Sequence, residues 1–253
     1  MPAVLPCPSC TAILVAAGAS RRMGMDKLAW PLAGVPVLRR TLEAFLAADS
    51  ISAVVVVCPQ ERWSLLDGDD PQKPVIREDG GAIKERGRLA RVFSKPVIRV
   101  DGGASRQESV ACGLAALDPN SRYVAVHDGA RPLIAPEDID RCVAAAVEHR
   151  AAVLARRATE TMQRADDQDF SAGLVSREHL WCMETPQVFE SALLRDAYSA
   201  VTARGLLVTD EASAVQTCGM RVKFVESRHP NLKITTRSDL ALAAALLGQN
   251  LTP

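Results

Sequence analysis

An α/β fold, a mostly parallel twisted sheet flanked by helices, is predicted by three observations. Short apolar or β-branched runs alternate with stretches of helical spacing along most of the 253 residues. Hydrophobic residues make up 48% of the chain but aromatic ones only 4%, so Ala, Val and Leu must fill the core. That composition suits buried parallel strands covered by Ala-rich helices. Third, residues of unusual chemistry fall where those strands end, and open α/β sheets bind ligands outside the carboxyl ends of their strands.

Residues 11–16 form a short apolar run leading to Gly18, a buried first strand. Over 35–47, Val37, Leu38, Leu42, Phe45 and Leu46 share one side of a helix. Four valines at 54–57 mark 51–58 as a central strand, and 61–66 begins a helix that soon breaks up. Residues 67–95 are rich in Gly, Asp, Pro, Lys and Arg without sustained periodicity. They read as an exposed insertion with one short helix near 83–92. The alternation then resumes: strand 97–100, helix 105–117, strand 123–127, helix 136–149, strand 151–155. Polar residues 158–181 interrupt it with alternating stretches at 161–164 and 173–176, and read as a protruding β-arm. Such an arm is often a dimer contact. Helices follow at 191–204, 210–218 and 238–248, with a strand at 222–226. No repeat or domain-sized linker divides the chain, so 1–253 reads as a single domain.

Charge and composition exclude several functions. Lys plus Arg and Asp plus Glu each total 30, so no global basic field exists to attract nucleic acid. No apolar run approaches the roughly 20 residues of a membrane span. The first ten residues have neither basic residues nor an apolar stretch of the signal-peptide kind. Seven cysteines lie scattered, apart from Cys7 and Cys10, which points to a reducing compartment and a cytoplasmic protein. No second pair completes a zinc site with Cys7 and Cys10, so they read as part of a frayed terminus.

Three strand-end segments carry the chemistry. In the first, 16–27, the small residues Ala16, Ala17, Gly18, Ala19 and Ser20 let backbone N–H groups approach a phosphate chain. Arg22 and Lys27 supply charge where a pentavalent phosphorus centre turns more negative. The loop matches neither the P-loop nor the dinucleotide fingerprint, and an ordinary strand-to-helix loop with surface arginines is its plain structural alternative. Arg21 reads as a surface arginine. In the second segment, 101–109, the Gly102–Gly103 pair permits close approach, while Ser105 or Ser109 can cap the next helix or bond a base. In the third, 127–132, Asp128 could hold Mg²⁺ or a ribose hydroxyl. Arg131 could pair with Asp128 or bind phosphate, and His127 reads as a hydrogen-bonded support rather than a base. Farther on, Lys233 lies between Leu232 and Ile234, where a half-buried lysine needs an anionic partner such as phosphate. The Thr185–Pro186 step reads as turn chemistry and Thr209 as a helix cap.

Together these motifs resemble the 2-C-methyl-D-erythritol 4-phosphate cytidylyltransferase family from about residue 12 to 247. A-A-G-x-S-x-R-M-G is shared with many nucleotidyltransferases. Its combination with G-G-x-x-R-x-x-S-V-x-x-G-L at 102–114, H-D-x-A-R-P, T-P-Q-x-F, T-D-E-A and N-x-K-[IV]-T is far more specific. The resemblance implies a Rossmann-like nucleotidyltransferase fold, CTP and a polyol phosphate as substrates, Mg²⁺ as cofactor, and a homodimer through the arm at 158–181. It implies that Arg22 and Lys27 stabilise the transition state while Arg177 and Lys233 position the acceptor phosphate. Gly103, Ala104 and Ser109 would meet cytosine, Asp128 and Arg131 would line the substrate side, and Thr161, Thr185 and Thr209 would bond the acceptor.

Departures from the family pattern include Val15 for a frequent proline and Asp26-Lys27-Leu28 for Pro-Lys-Gln. Arg157, Glu160 and Gln163 replace Pro, Asp and Lys around Thr161, and Met183-Glu184 precedes Thr185 where Gln is common. None removes a proposed cation; those near Thr161 bear on the acceptor. A ribitol 5-phosphate cytidylyltransferase shares the fold and most motifs. A molybdopterin-type nucleotidyltransferase would lack the last three motifs. A non-catalytic CTP-binding dimer would have had no reason to keep Arg22, Lys27, Arg177 and Lys233.

Overall fold

The computed structural model describes residues 9–18, 23–66 and 95–248. Ala19, Ser20, Arg21 and Arg22 of the first loop, Cys7, and the expected insertion apart from Lys95 lie outside the described residues.

From the N-terminal side come β1 (Cys10–Val15), the small hairpin β2 (Pro31–Leu32) and β3 (Val35–Pro36), α1 (Val37–Ala47) and β4 (Ile51–Val57). Next are α2 (Gln60–Trp63), β5 (Val97–Val100), α3 (Arg106–Ala115), β6 (Tyr123–Asp128), α4 (Pro136–His149) and β7 (Ala151–Arg157). Then follow the β8 (Met162–Ala165) and β9 (Ser171–Val175) hairpin, β10 (Trp181–Glu190), α5 (Ser191–Ala203), α6 (Glu211–Thr217), β11 (Lys223–Glu226) and α7 (Arg237–Gly248). The first helix starts two residues later than its apolar spacing suggests. Pro36 biases Val35 toward extended backbone, and the two residues pair with Leu32 and Pro31 instead.

Seven strands form one sheet in the order β11-β7-β10-β6-β1-β4-β5. Only β10 runs against its neighbours, pairing antiparallel with both β6 and β7. The alternating side chains of β1 explain the layers. Cys10, Ala12 and Leu14 pack on one face with Leu38, Leu42 and Phe45 of α1 and with Ile139 and Val143 of α4. Ile13 points to the other face, with Val110 and Leu114 of α3 and Leu194 of α5. No described helix is long and apolar enough to cross a membrane.

This layering positions the site. From β1 the chain crosses by α1 on the first face to β4 and later β5, then returns by α3 on the second face to β6, on the opposite side of β1. Strand order therefore reverses between β1 and β6, and such a reversal opens a crevice at the carboxyl ends of the strands.

The ten-residue strand β10 runs through Thr185–Pro186, where the sequence predicts a turn. Pro186 gives the ladder no N–H, and Glu184 and Gln187 break the apolar pattern. The β10–β7 pairing shifts register between Met183 and Gln187, so the strand accommodates the proline at an irregularity.

Candidate active site

A cavity of about 510 Å³ opens at the carboxyl ends of β1, β5 and β6. Ala16, Ala17, Gly18 and Lys27 line it from the first loop, Gly103, Ala104 and Ser109 from the second, and Asp128 from the end of β6. Lys233 reaches it from the segment before α7. Segments far apart in sequence thus share one pocket.

The first loop is tied down on both sides. The Ala16 N–H donates to the Val57 carbonyl at 2.8 Å, extending the β1–β4 pairing. Arg62, only 8% exposed, donates to the Ala16 carbonyl and ion-pairs with Asp26 at 2.7 Å. The other Asp26 oxygen accepts the Leu28 N–H at 3.1 Å, a turn contact the frequent proline cannot supply. Lys27 then extends its ammonium to the Ile234 carbonyl at 2.7 Å, joining the loop to the segment that carries Lys233.

In the second loop a reciprocal cap organises the start of α3. Ser105 accepts the Glu108 N–H at 3.1 Å, and Glu108 reaches back to the Ala104 N–H at 2.9 Å. Ser109 accepts the Gly103 N–H at 3.2 Å and donates to the Ser105 carbonyl at 2.8 Å. The Gly103 and Ala104 N–H groups, of residues expected to meet cytosine, are therefore already used within the loop. Gly102 is required by space: a Cβ there would lie 2.4 Å from the Ala17 Cβ and 2.9 Å from the Ser109 hydroxyl. The two loops meet at that point.

Asp128 is the electrostatic centre. Lys233 Nζ lies 2.7 Å from one carboxylate oxygen, with Arg131 Nε at 3.7 Å, and Arg106 Nε lies 3.3 Å from the other. Burial pushes the Asp128 carboxyl up, but Arg106, Lys233 and Arg131 outweigh it and hold the group well below the usual carboxylate range. Beside it His127 is fully buried and packs against Phe45, with ring centroids 4.8 Å apart. Burial depresses its imidazole to about 3, mainly through desolvation, so it is neutral near pH 7. Its nitrogens bond to the Thr185 hydroxyl at 2.9 Å and the Arg131 carbonyl at 3.3 Å, the supporting place expected for it.

The remaining candidates do not line the cavity. Arg131 lies behind Asp128 and donates to the Asn231 carbonyl at 2.7 Å. Thr185 is 4% exposed, and its hydroxyl accepts the Asp128 N–H at 3.2 Å. Thr209 is exposed just before α6, whose cap is Asp210, accepting the Ser213 N–H at 2.8 Å, rather than Thr209. Thr161 and Arg177 are exposed at the β8–β9 arm, where Arg177 donates to the Thr159 carbonyl.

Three residues given no role by sequence matter to this architecture. Arg106 lines the cavity and forks onto Glu211, which is fully buried. Gln187 donates to Asp210 at 3.0 Å and accepts the Ala212 N–H at 2.9 Å, so β10 holds the start of α6. The signal was present, since all three stand inside the recurring motifs, but their partners lie far away in sequence.

Among the described residues no group of three His, Cys, Asp or Glu side chains could hold a metal. Asp128 is the carboxylate that lines the cavity, and Mg²⁺ commonly binds through one or two carboxylates plus substrate phosphates.

Residues 10–249 match the family described as IspD: 2-C-methyl-D-erythritol 4-phosphate cytidylyltransferase. The enzyme of that name from Synechococcus sp. is 37% identical over 245 residues, covering 95% of this chain and 99% of its own. The chloroplastic enzyme of Oryza sativa is 34% identical, over 95% of this chain and 75% of its own. The crystal structure of the Thermus thermophilus enzyme superposes with a TM-score of 0.71 at 30% identity, over 94% of this chain and 98% of its own.

Proposed function

The chain belongs to the 2-C-methyl-D-erythritol 4-phosphate cytidylyltransferase family, and from that premise we infer the work of its pocket. It is a cytidylyltransferase of the non-mevalonate isoprenoid pathway: it transfers CMP from CTP to methylerythritol phosphate, giving the CDP-alcohol and pyrophosphate. The observation that supports a role for the pocket is the meeting of Lys27 and Lys233 beside the small-residue first loop and the second-loop backbone.

We propose the following division of labour. The 16–20 backbone cradles the triphosphate. Cytosine lies against Gly103, Ala104 and Ser109; with the first two N–H groups engaged, carbonyl oxygens accept from its amino group. An oxygen of the acceptor phosphate attacks the α-phosphorus, the bond to the bridging oxygen of the β-phosphate breaks, and pyrophosphate leaves. The acceptor is already an anion at neutral pH, so no base has to activate it. The protein's task is to overcome repulsion between anions, which Arg22 and Lys27 do at the α-phosphate and Arg177 and Lys233 do at the acceptor. Asp128 would hold Mg²⁺, which supplies charge neutralisation on the triphosphate. Arg131, Thr161, Thr185 and Thr209 complete the acceptor side, Thr185 and Arg131 by way of Asp128.

The arm supports a homodimer. Phe170 is 67% and Leu174 73% exposed on a two-stranded hairpin, which needs cover to be stable. We place Thr161 and Arg177 at the partner's pocket, and the protein in the cytoplasm. Leu174→Asp is expected to convert the dimer to monomer in sedimentation velocity and to lower activity with it; an unchanged dimer would remove the arm from the interface.

The acceptor is tested by supplying Mg²⁺ and CTP with methylerythritol phosphate or ribitol 5-phosphate and following pyrophosphate. Release should be much faster with methylerythritol phosphate. Preference for ribitol phosphate would reassign the acceptor, and CTP binding without release from either would mark a non-catalytic dimer.

A further inference from the structure

We infer that Arg106 is a positioning residue for CMP transfer: it ties Asp128, and through it Lys233, to the buried carboxylate of Glu211. The inference rests on the transfer reaction proposed above.

Four charges of alternating sign form a chain from core to pocket. Glu211, at the first position of α6, has a side chain 0% exposed and accepts the Tyr198 hydroxyl at 2.9 Å. Arg106 Nη1 and Nη2 meet its two oxygens at 2.8 and 3.1 Å. The same guanidinium turns Nε to Asp128 at 3.3 Å, and Asp128 meets Lys233 Nζ at 2.7 Å. The Lys233 side chain is 40% exposed and marks the open end.

Helix preference does not explain an arginine at the first position of α3, because a cation at a helix N-terminus opposes the dipole. Two carboxylates on separate elements do explain it. A planar guanidinium has donors enough to meet both in one fixed geometry, whereas a lysine ammonium is a single point charge. Arg106 also directly follows the 103–105 loop. One side chain therefore sets the base-reading loop, Asp128 and Lys233 in register.

The test must separate positioning from support of the fold. Arg106→Gln alone would strand the Glu211 charge in the core and could unfold the protein. The informative variant is Arg106→Gln with Glu211→Gln, which removes both charges together. Single-turnover CMP transfer from labelled CTP, sensitive enough for slow variants, is compared in the native and Asp128→Asn backgrounds, with thermal melts alongside. The paired variant should melt near the wild-type temperature yet slow transfer about 10-fold or more. In the Asp128→Asn background the same change should cost less than about 2-fold, because the group being positioned is gone. Arg106→Lys with Glu211 intact should fold but remain slow. Equal penalties in both backgrounds, a fully active paired variant, or full activity of Arg106→Lys would each overturn the inference. Absence of transfer by the wild-type protein would instead defeat the transfer reading.

Discussion

Replacing Lys27 by Ala should lower kcat by roughly 10²-fold or more while KM for CTP changes little. Lys27 lines the cavity at the end of the small-residue loop, and its ammonium is held by the Ile234 carbonyl 2.7 Å away. Charge on the α-phosphate oxygens is greatest as the bond to pyrophosphate breaks, so a fixed ammonium there is worth more in the transition state than in the bound triphosphate. The loop has other anchors, Arg62 on the Ala16 carbonyl and on Asp26, so the variant should fold normally. Initial rates across CTP concentration decide the matter. A rise in KM with kcat unchanged would show that Lys27 only binds ground-state triphosphate.

Lys233→Ala should cost a similar factor, roughly 10²-fold in kcat/KM, but displayed against the acceptor rather than CTP. In the free pocket its ammonium is neutralised by Asp128 at 2.7 Å. Losing it leaves Asp128 with Arg106 at 3.3 Å and Arg131 at 3.7 Å, so no buried carboxylate is stranded and the melting temperature should change little. Varying methylerythritol phosphate at saturating CTP measures the effect. A loss seen only in KM for CTP would move Lys233 to the nucleotide side.

Much of this was legible in the sequence because it is local. Buried β-branched runs and apolar helical spacing mark β4, β5, α1 and α4, and the loops after β1, β5 and β6, which meet at the cavity, stand out by their own composition. What stayed hidden depends on distant partners. Strand β10 is disguised by Pro186 and by Glu184 and Gln187, whose polar side chains are buried only because Asn231, Asp210 and Ala212 meet them. Arg106 shows no partner in its own stretch of sequence; Glu211, which meets it, stands 105 positions later. The family resemblance implies that Thr185 bonds the acceptor, yet its hydroxyl is engaged by His127 and the Asp128 backbone. Spacing alone cannot reveal which polar residues satisfy one another across a sheet.

The proposed reaction is a direct displacement, with no covalent intermediate on the protein. Among its described residues, Ser109 is committed to Ser105 and Gly103, and the neutral His127 sits behind Asp128, bonded to Thr185. The stereochemical course at the α-phosphorus tests this most directly, using CTP with a single sulfur of defined configuration on that phosphate. One in-line attack by the acceptor predicts inversion in the CDP-alcohol; net retention would require two displacements through a nucleotidylated enzyme and would contradict the account.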